Sequence, residues 1–260
     1  MKRESIFFLA LLAMGVAQAG TVVHMDRRIL PDGKPHPSSV LYAQSGQLRI
    51  DSLGGDGHVK GFTLVRDGTI WEVNVQKRTF TKFDKEALAG QQGAMQDRMQ
   101  AMLAKLPPDK RAAMEARMQG MMQKSQQANY TLSDTGRHDQ AGSWSCQVVQ
   151  FQRDGKTVTE ACIASRGALQ GGDELVDATH KAAAVAVDVL SSLPAAKAAA
   201  QRMNLYAKSD GFPVRMREIS SSGKAEDEET VSSIERQSLD ADKFAIPKGF
   251  TQTALGQADE

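Results

Sequence analysis

The chain has 260 residues, which is enough to bury the core of one sizeable domain or of two modest ones. Its 32 lysine and arginine residues nearly balance its 31 aspartate and glutamate residues, so the formal net charge is only +1. Because binding to nucleic-acid phosphates needs a concentrated cationic surface, this balance argues against a nucleic-acid partner.

Residues 1–19 have the three parts of a secretory signal peptide: a positively charged start, an apolar run over 6–16, and small residues before Gly20. The apolar run is too short to anchor the chain in a bilayer, and no later run is long enough to be a transmembrane segment. We therefore predict cleavage near Ala19–Gly20 and a periplasmic protein, or a secreted one if the source is not Gram-negative.

Between residues 21 and 83, short runs rich in β-branched and aromatic residues are separated by glycine-containing turns. This pattern predicts strands over 21–28, 39–43, 47–52, 59–66, 70–75 and 78–83. Alternation within single strands pairs apolar residues on one face: Leu48 with Ile50, Phe62 with Leu64, and Val73 with Val75. Connections this short predict an antiparallel meander with one apolar face.

The apolar period changes to three- and four-residue steps over residues 84–127. Seven of the chain's 12 methionines lie between Met95 and Met122, and Pro107 with Pro108 interrupts the pattern midway. Since proline cannot continue a helix interior, we predict two amphipathic helices or one sharply broken helix.

In the C-terminal half the pattern predicts further elements: strands over 130–134, 213–220 and 229–239, a hairpin over 143–163, and a helical stretch over 173–206 with a kink at Pro194. The acidic run 226–229 is interpreted as a solvated hairpin face. Residues 244–250 are predicted to anchor the end of the sheet, and 251–260 to form a disordered tail.

The chain's two cysteines, Cys146 and Cys162, lie on the two strands of the predicted hairpin. A three-residue loop of Arg153, Asp154 and Gly155 would place them directly opposite each other, within disulfide reach. Because an exported protein meets an oxidising compartment, we predict a disulfide bond. No C-x-x-C motif is present, so its expected role is structural.

Several motifs in a fixed order resemble a known exported family. They are the strand Gly46-Gln47-Leu48-Arg49-Ile50, the Met-rich insertion around Leu106–Met114, the segment Gly142-Ser-Trp-Ser-Cys146, Gly211-Phe-Pro-Val214, and the ending Phe244–Phe250. This order resembles the family known as domain of unknown function 4412. That family is similar in architecture to the outer-membrane lipoprotein carrier superfamily, in which a curved antiparallel sheet wraps helices around an apolar cavity. The resemblance implies a fold, and no catalytic residues come with it.

We therefore predict one α+β domain over 20–250, a curved antiparallel sheet or half-barrel with helical insertions at about 84–127 and 173–206 packed on one face. The methionine-rich face has three interpretations. The first is a packing surface, because methionine fills irregular gaps. The second is an adaptable lid over an apolar ligand or partner. The third is a Cu(I) site formed by the thioethers of Met95, Met99, Met118 and Met122.

The sequence contains no recognisable motif for catalysis, for phosphate binding or for the usual metal ligands. The five histidines form no metal-binding spacing, and no nucleophile elbow, phosphate loop or acid–base set is present, so we expect no enzyme, no cofactor and no metal site of the usual ligands.

The favoured hypothesis is a non-enzymatic binding protein that holds an apolar or lipid-like molecule between the sheet and the Met-rich helices. Its candidate ligand face comprises Leu48, Ile50, Phe62, Leu64, Val73, Met95, Met99, Met102, Met118 and Met122. The alternatives are an envelope module that binds a protein partner, or Cu(I) binding.

Overall fold

The structure, a computed structural model, describes residues 19–127, 129–191 and 197–255; the side chains of Met95, 121–127 and 197–198 are outside this description. Residues 1–18, which hold all but the last residue of the predicted signal peptide, also lie outside it, as do Pro194, where the kink was predicted, and the last five residues, 256–260. Within the described residues, the strands are β1 Ala19–Ile29, β2 His36–Gln44, β3 Gln47–Leu53, β4 Val59–Arg66, β5 Thr69–Asn74, β6 Thr79–Phe83, β7 Tyr130–Ala141, β8 Trp144–Arg153, β9 Lys156–Ser165, β10 Gly211–Ile219, β11 Ala225–Ser238 and β12 Thr251–Thr253. The helices are α1 Lys85–Ala104, α2 Pro108–Gln127, α3 Gly172–Leu190 and α4 Lys197–Tyr206.

All twelve strands form one sheet, in the order β12-β6-β5-β4-β3-β2-β1-β11-β10-β9-β8-β7. Neighbouring strands are antiparallel, except that β12 runs parallel to β6. The predicted α+β fold, a curved antiparallel sheet with helical insertions, is confirmed. The strand β12 shows that the predicted disordered tail is wrong for Thr251–Thr253, because these residues pair with Thr79–Thr81.

The hairpin of β8 and β9 confirms the disulfide but not its predicted register. Cys146 and Cys162 are bonded, with their Cα atoms 5.3 Å apart. Asp154 and Gly155 alone form the loop, both with positive φ as a two-residue hairpin turn requires, and a bulge lies between Phe151 and Gln152. Cys162 therefore lies opposite Val148, and the bond joins diagonal neighbours rather than directly opposed residues.

The sheet carries a core on each face. We call the face contacted by α3 the inner face; its core contains Val23, Leu48, Leu175, Val214 and the disulfide. On the outer face a smaller core forms where the segment from Leu239 to Phe250 crosses β2–β6. Two arginines fix this segment, since Arg49 donates to the carbonyl of Lys243 at 2.9 Å and Arg66 to that of Phe244 at 2.6 Å.

The helices form two layers on the inner side. The alanine-rich α3 lies directly on β1–β5 and β10, and α4 contacts α3 and β7. The Met-rich helices lie farther out, with α1 against α3 and strand β6, and α2 against α4. Asp84 starts α1 by accepting a hydrogen bond from the backbone of Ala87 at 2.8 Å, and Arg111 of α2 bonds the carbonyl of Leu103 at 3.0 Å near the end of α1.

Candidate ligand-binding cavity

A cavity of about 1330 Å³ lies between the inner face of the sheet and the helices α3 and α4. Its floor is apolar because alternate residues of neighbouring strands point inward, among them Leu41, Leu48, Ile50 and Val65. The cavity continues across β1 and β10 towards α4. It therefore runs along the sheet as an elongated, mainly apolar space.

The composition of α3 explains why this space is open. Ala182, Ala183 and Ala186 line the cavity on one side of the helix, where larger side chains would occupy it. The same helix is anchored further along by Leu175 and Val176, which are fully buried in the inner core. Bulky residues thus attach α3 to the sheet, and small residues keep a gap beneath it.

The other wall is α4, which is held in place by an aromatic contact. The ring of Tyr206 stacks on Phe151 of β8, with centroids 4.3 Å apart. Its hydroxyl donates to the sulfur of Met216 at 3.2 Å, and both residues line the cavity. Burial raises the pKa of Tyr206 above its ordinary value, with the nearby Arg202 opposing the shift, so the phenol stays protonated at neutral pH.

Polar residues lie at the end of the cavity near α4. Arg202 donates to Glu218 at 3.2 Å and to the hydroxyl of Thr159 at 3.1 Å. Burial lowers the pKa of Arg202, but Tyr206 and Glu218 together raise it above its ordinary value. This end of the cavity is therefore charged but internally paired.

A second group of polar residues lies on β1, β2 and β11. Arg27 donates through Nε to Asp227 at 2.7 Å, and the hydrogen bond to Asp227 raises the pKa of Arg27. Glu229 accepts hydrogen bonds from the hydroxyls of Ser38 at 3.0 Å and Ser39 at 3.4 Å. All five residues line the cavity.

A family model described as "Domain of unknown function (DUF4412)" matches residues 89–250 of this chain. The chain belongs to the DUF4412 family. The matched range begins inside α1 and runs through the disulfide hairpin, both cavity helices and the segment that crosses the outer face. Membership of this family confirms the resemblance seen in the sequence.

Comparison with solved structures finds an uncharacterized conserved protein from Thermus thermophilus. The two chains share 12% sequence identity, the alignment covers 92% of this chain and 91% of that one, and the TM-score is 0.44. A search of curated proteins found no match.

The five sheet residues predicted to share a ligand face divide between the two faces. Leu48 and Ile50 line the cavity, as expected. The register places Phe62 opposite Asp51, and Leu64 opposite Arg49, so these two residues and Val73 belong to the outer core. The prediction of one shared face is therefore wrong for Phe62, Leu64 and Val73, because a shift of one residue in register reverses the face.

The described side chains of the Met-rich helices do not line the cavity, although the sequence predicted that these helices form its wall. Of the candidate methionines whose side chains are described, Met99 and Met118 are partly buried, Met102 is 49% exposed, and none lines the cavity. Met95 and Met122 lie outside the described side chains. The reason is the intervening layer, since α3 and α4 separate the Met-rich helices from the floor of the cavity.

The methionines that do line the cavity are Met25, Met203 and Met216, which the sequence did not single out. The useful signal was the run Ala182–Ala184 followed by Ala186, since consecutive small residues on a helix leave room beside it.

Across the described part of the chain, no helix has both the length and the apolar character needed to cross a bilayer. In that same part, no three His, Cys, Asp or Glu residues come together as metal ligands.

Proposed function

We propose that this protein is an exported, non-enzymatic binding protein that holds an apolar or lipid-like ligand between the inner face of the sheet and the helices α3 and α4. One observation carries the proposal: the cavity of about 1330 Å³ with an apolar floor. Typical pockets for small ligands measure about 300–1,000 Å³. This one is large enough for a long acyl chain.

The arrangement of the walls supports an apolar guest. A guest on the floor of the cavity would cover the partly buried Ile50 and Ile70, and each Å² of apolar surface removed from water contributes about 25 cal/mol. Protein interiors are otherwise close-packed, so a gap of this size beneath a well-anchored helix is unusual for a purely structural domain. The predicted signal peptide is consistent with a carrier for molecules that cross an aqueous compartment poorly.

Filling the cavity tests the proposal directly. Ala186→Trp places an indole in the space that the ligand would use, and we expect it to weaken binding of the uncharged fluorescent probe N-phenyl-1-naphthylamine about tenfold or more. Ala184→Trp is the matched control, since Ala184 lies on the same helix but is exposed and outside the cavity. Fluorescence titration compares both variants with the wild type, and thermal unfolding checks that each is folded.

Equal affinity of the two tryptophan variants would contradict the proposed site. Native mass spectrometry of the protein purified from its own source gives an independent test, because a resident ligand adds mass to that of the polypeptide. A ligand-free mass together with no uptake of the probe would remove the proposed function altogether.

A further inference from the structure

We infer that the ligand of this cavity carries an uncharged head group, an inference that rests on the proposed function and names its ligand class. The relevant observation is that the charged residues of the cavity wall already have polar partners: the arginines pair with carboxylates, and Glu229 accepts from two serine hydroxyls. Its three arginines, Arg27, Arg153 and Arg202, each have a carboxylate partner, and no lysine among the described residues lines the cavity.

The pairing is closest in the part of the wall next to α4. There Arg202 lies between Glu218 and the hydroxyl of Thr159, while Thr159 itself donates to Glu218 at 3.2 Å. A ligand carboxylate that approached Arg202 would compete with Glu218 and meet its negative charge. Arg27 has the same constraint, because Asp227 accepts from it and Glu229 is near enough to raise its pKa.

An incoming cation would be no better placed. Glu218 and Asp227 already accept hydrogen bonds from arginines, and Glu229 from two serine hydroxyls. Removing a charged head from water without a new partner is costly. The wall thus disfavours a charged head of either sign.

Neutral donors and acceptors remain available for an uncharged head. The hydroxyl of Tyr206 donates to the thioether of Met216, and sulfur is a weak acceptor that a hydroxyl or ester oxygen would replace with a stronger one. Burial raises the pKa of this phenol, so it keeps its proton. The geometry fits a long-chain alcohol or a glycerol ester, with its tail over the floor formed by Leu48 and Ile50 and its oxygen at Tyr206.

Competition between two probes of equal chain length tests this inference. Dodecan-1-ol and dodecanoate are each titrated into the protein without its predicted signal peptide, with N-phenyl-1-naphthylamine already bound. The titration is done at about pH 8, where a carboxylic acid is ionised. We expect dodecan-1-ol to displace the probe at a concentration about tenfold lower than dodecanoate. Displacement by dodecanoate at the same or a lower concentration would overturn the inference while leaving the proposed function intact.

A variant that frees one arginine sharpens the test. Glu218→Gln removes the negative partner of Arg202, so we expect the affinity for dodecanoate to rise about tenfold relative to that for dodecan-1-ol. Glu226→Gln is the control, since Glu226 is exposed and outside the cavity, and it should leave the ratio unchanged. An unaltered ratio in Glu218→Gln would contradict the role given to the pair. If dodecan-1-ol, dodecanoate and the fluorescent probe all fail to bind the wild type, the result contradicts the proposed function itself and not only the inference of an uncharged head group.

Discussion

Replacing Glu228 by glutamine is expected to lower the free energy of unfolding by about 3 kcal/mol. Glu228 is only 4% exposed and lies on the face of β11 opposite to the cavity residue Glu229. Its two oxygens accept from Arg28 Nε at 2.7 Å and from Arg217 Nε at 2.6 Å. Glutamine keeps the shape but removes the negative charge that both guanidinium groups share, and Arg217 keeps only the more distant carboxylate of Glu160, at 3.8 Å. Because the arginines are partly exposed, we expect the loss of stability to lie at the low end of the range measured when one partner of a buried ion pair is removed.

The pH dependence of this effect has a definite sign. Burial raises the pKa of Glu228, but Arg217 and Arg28 together lower it by more, so its value in the folded protein lies below the ordinary one. The stabilisation is therefore fully present above the ordinary glutamate pKa and is lost as the pH falls through the folded value. The difference between wild type and Glu228→Gln should shrink on acidification.

Urea unfolding at neutral and acidic pH measures both effects. Glu226→Gln on the same strand is exposed and should change the free energy of unfolding by less than about 0.5 kcal/mol. If Glu228→Gln unfolds at the same urea concentration as this control at neutral pH, the ion pairs with Arg28 and Arg217 do not stabilise the fold.

Removal of the disulfide is expected to lower the free energy of unfolding by about as much as Glu228→Gln does. Cys146 and Cys162 are 16 residues apart and both are buried, and closing a loop of this length stabilises a protein by about 3 kcal/mol through the unfolded chain. The double variant Cys146→Ala and Cys162→Ala should therefore melt roughly 6–12 °C below the wild type. Thermal unfolding with and without dithiothreitol gives the internal control. The reductant should lower the melting temperature of the wild type and leave that of the double variant unchanged; no difference between the two proteins would show that the bond does not stabilise the fold.

The strands and helices could be predicted from the sequence because their signals are local. For β4 the predicted range 59–66 coincides with the observed one, and glycine turns separated the early strands correctly. Long-range pairing could not be predicted in the same way. The acidic run 226–229 was expected to be solvated, yet Glu228 is buried, because Arg28 lies 200 residues away along the chain and only the sheet brings the two together.

The cavity could be predicted only in part, for a related reason. Alternation shows which residues of one strand share a face, but it does not relate the faces of different strands. Leu48 and Phe62 both belong to alternating strands, and the connection between β3 and β4 directs them to opposite sides of the sheet. The segment from Leu239 to Phe250 then buries the second side, so both faces look equally apolar in the sequence.

The Met-rich helices carry the most conspicuous pattern in the sequence, but their described methionine side chains lie outside the cavity. Methionine indicates an adaptable surface, but it does not say which surface is covered. The alanines of α3, which have no distinctive side chains, determine where the open space lies.

The position of a bound ligand tests the central claim most directly. Crystals of the protein without its predicted signal peptide, grown with 12-bromododecan-1-ol, would locate the bromine by its anomalous scattering. Our account predicts the bromine between Ala186 of α3 and the floor residues Leu48 and Ile50. A bromine on the outward side of α1 and α2, next to the exposed Met102, would contradict it.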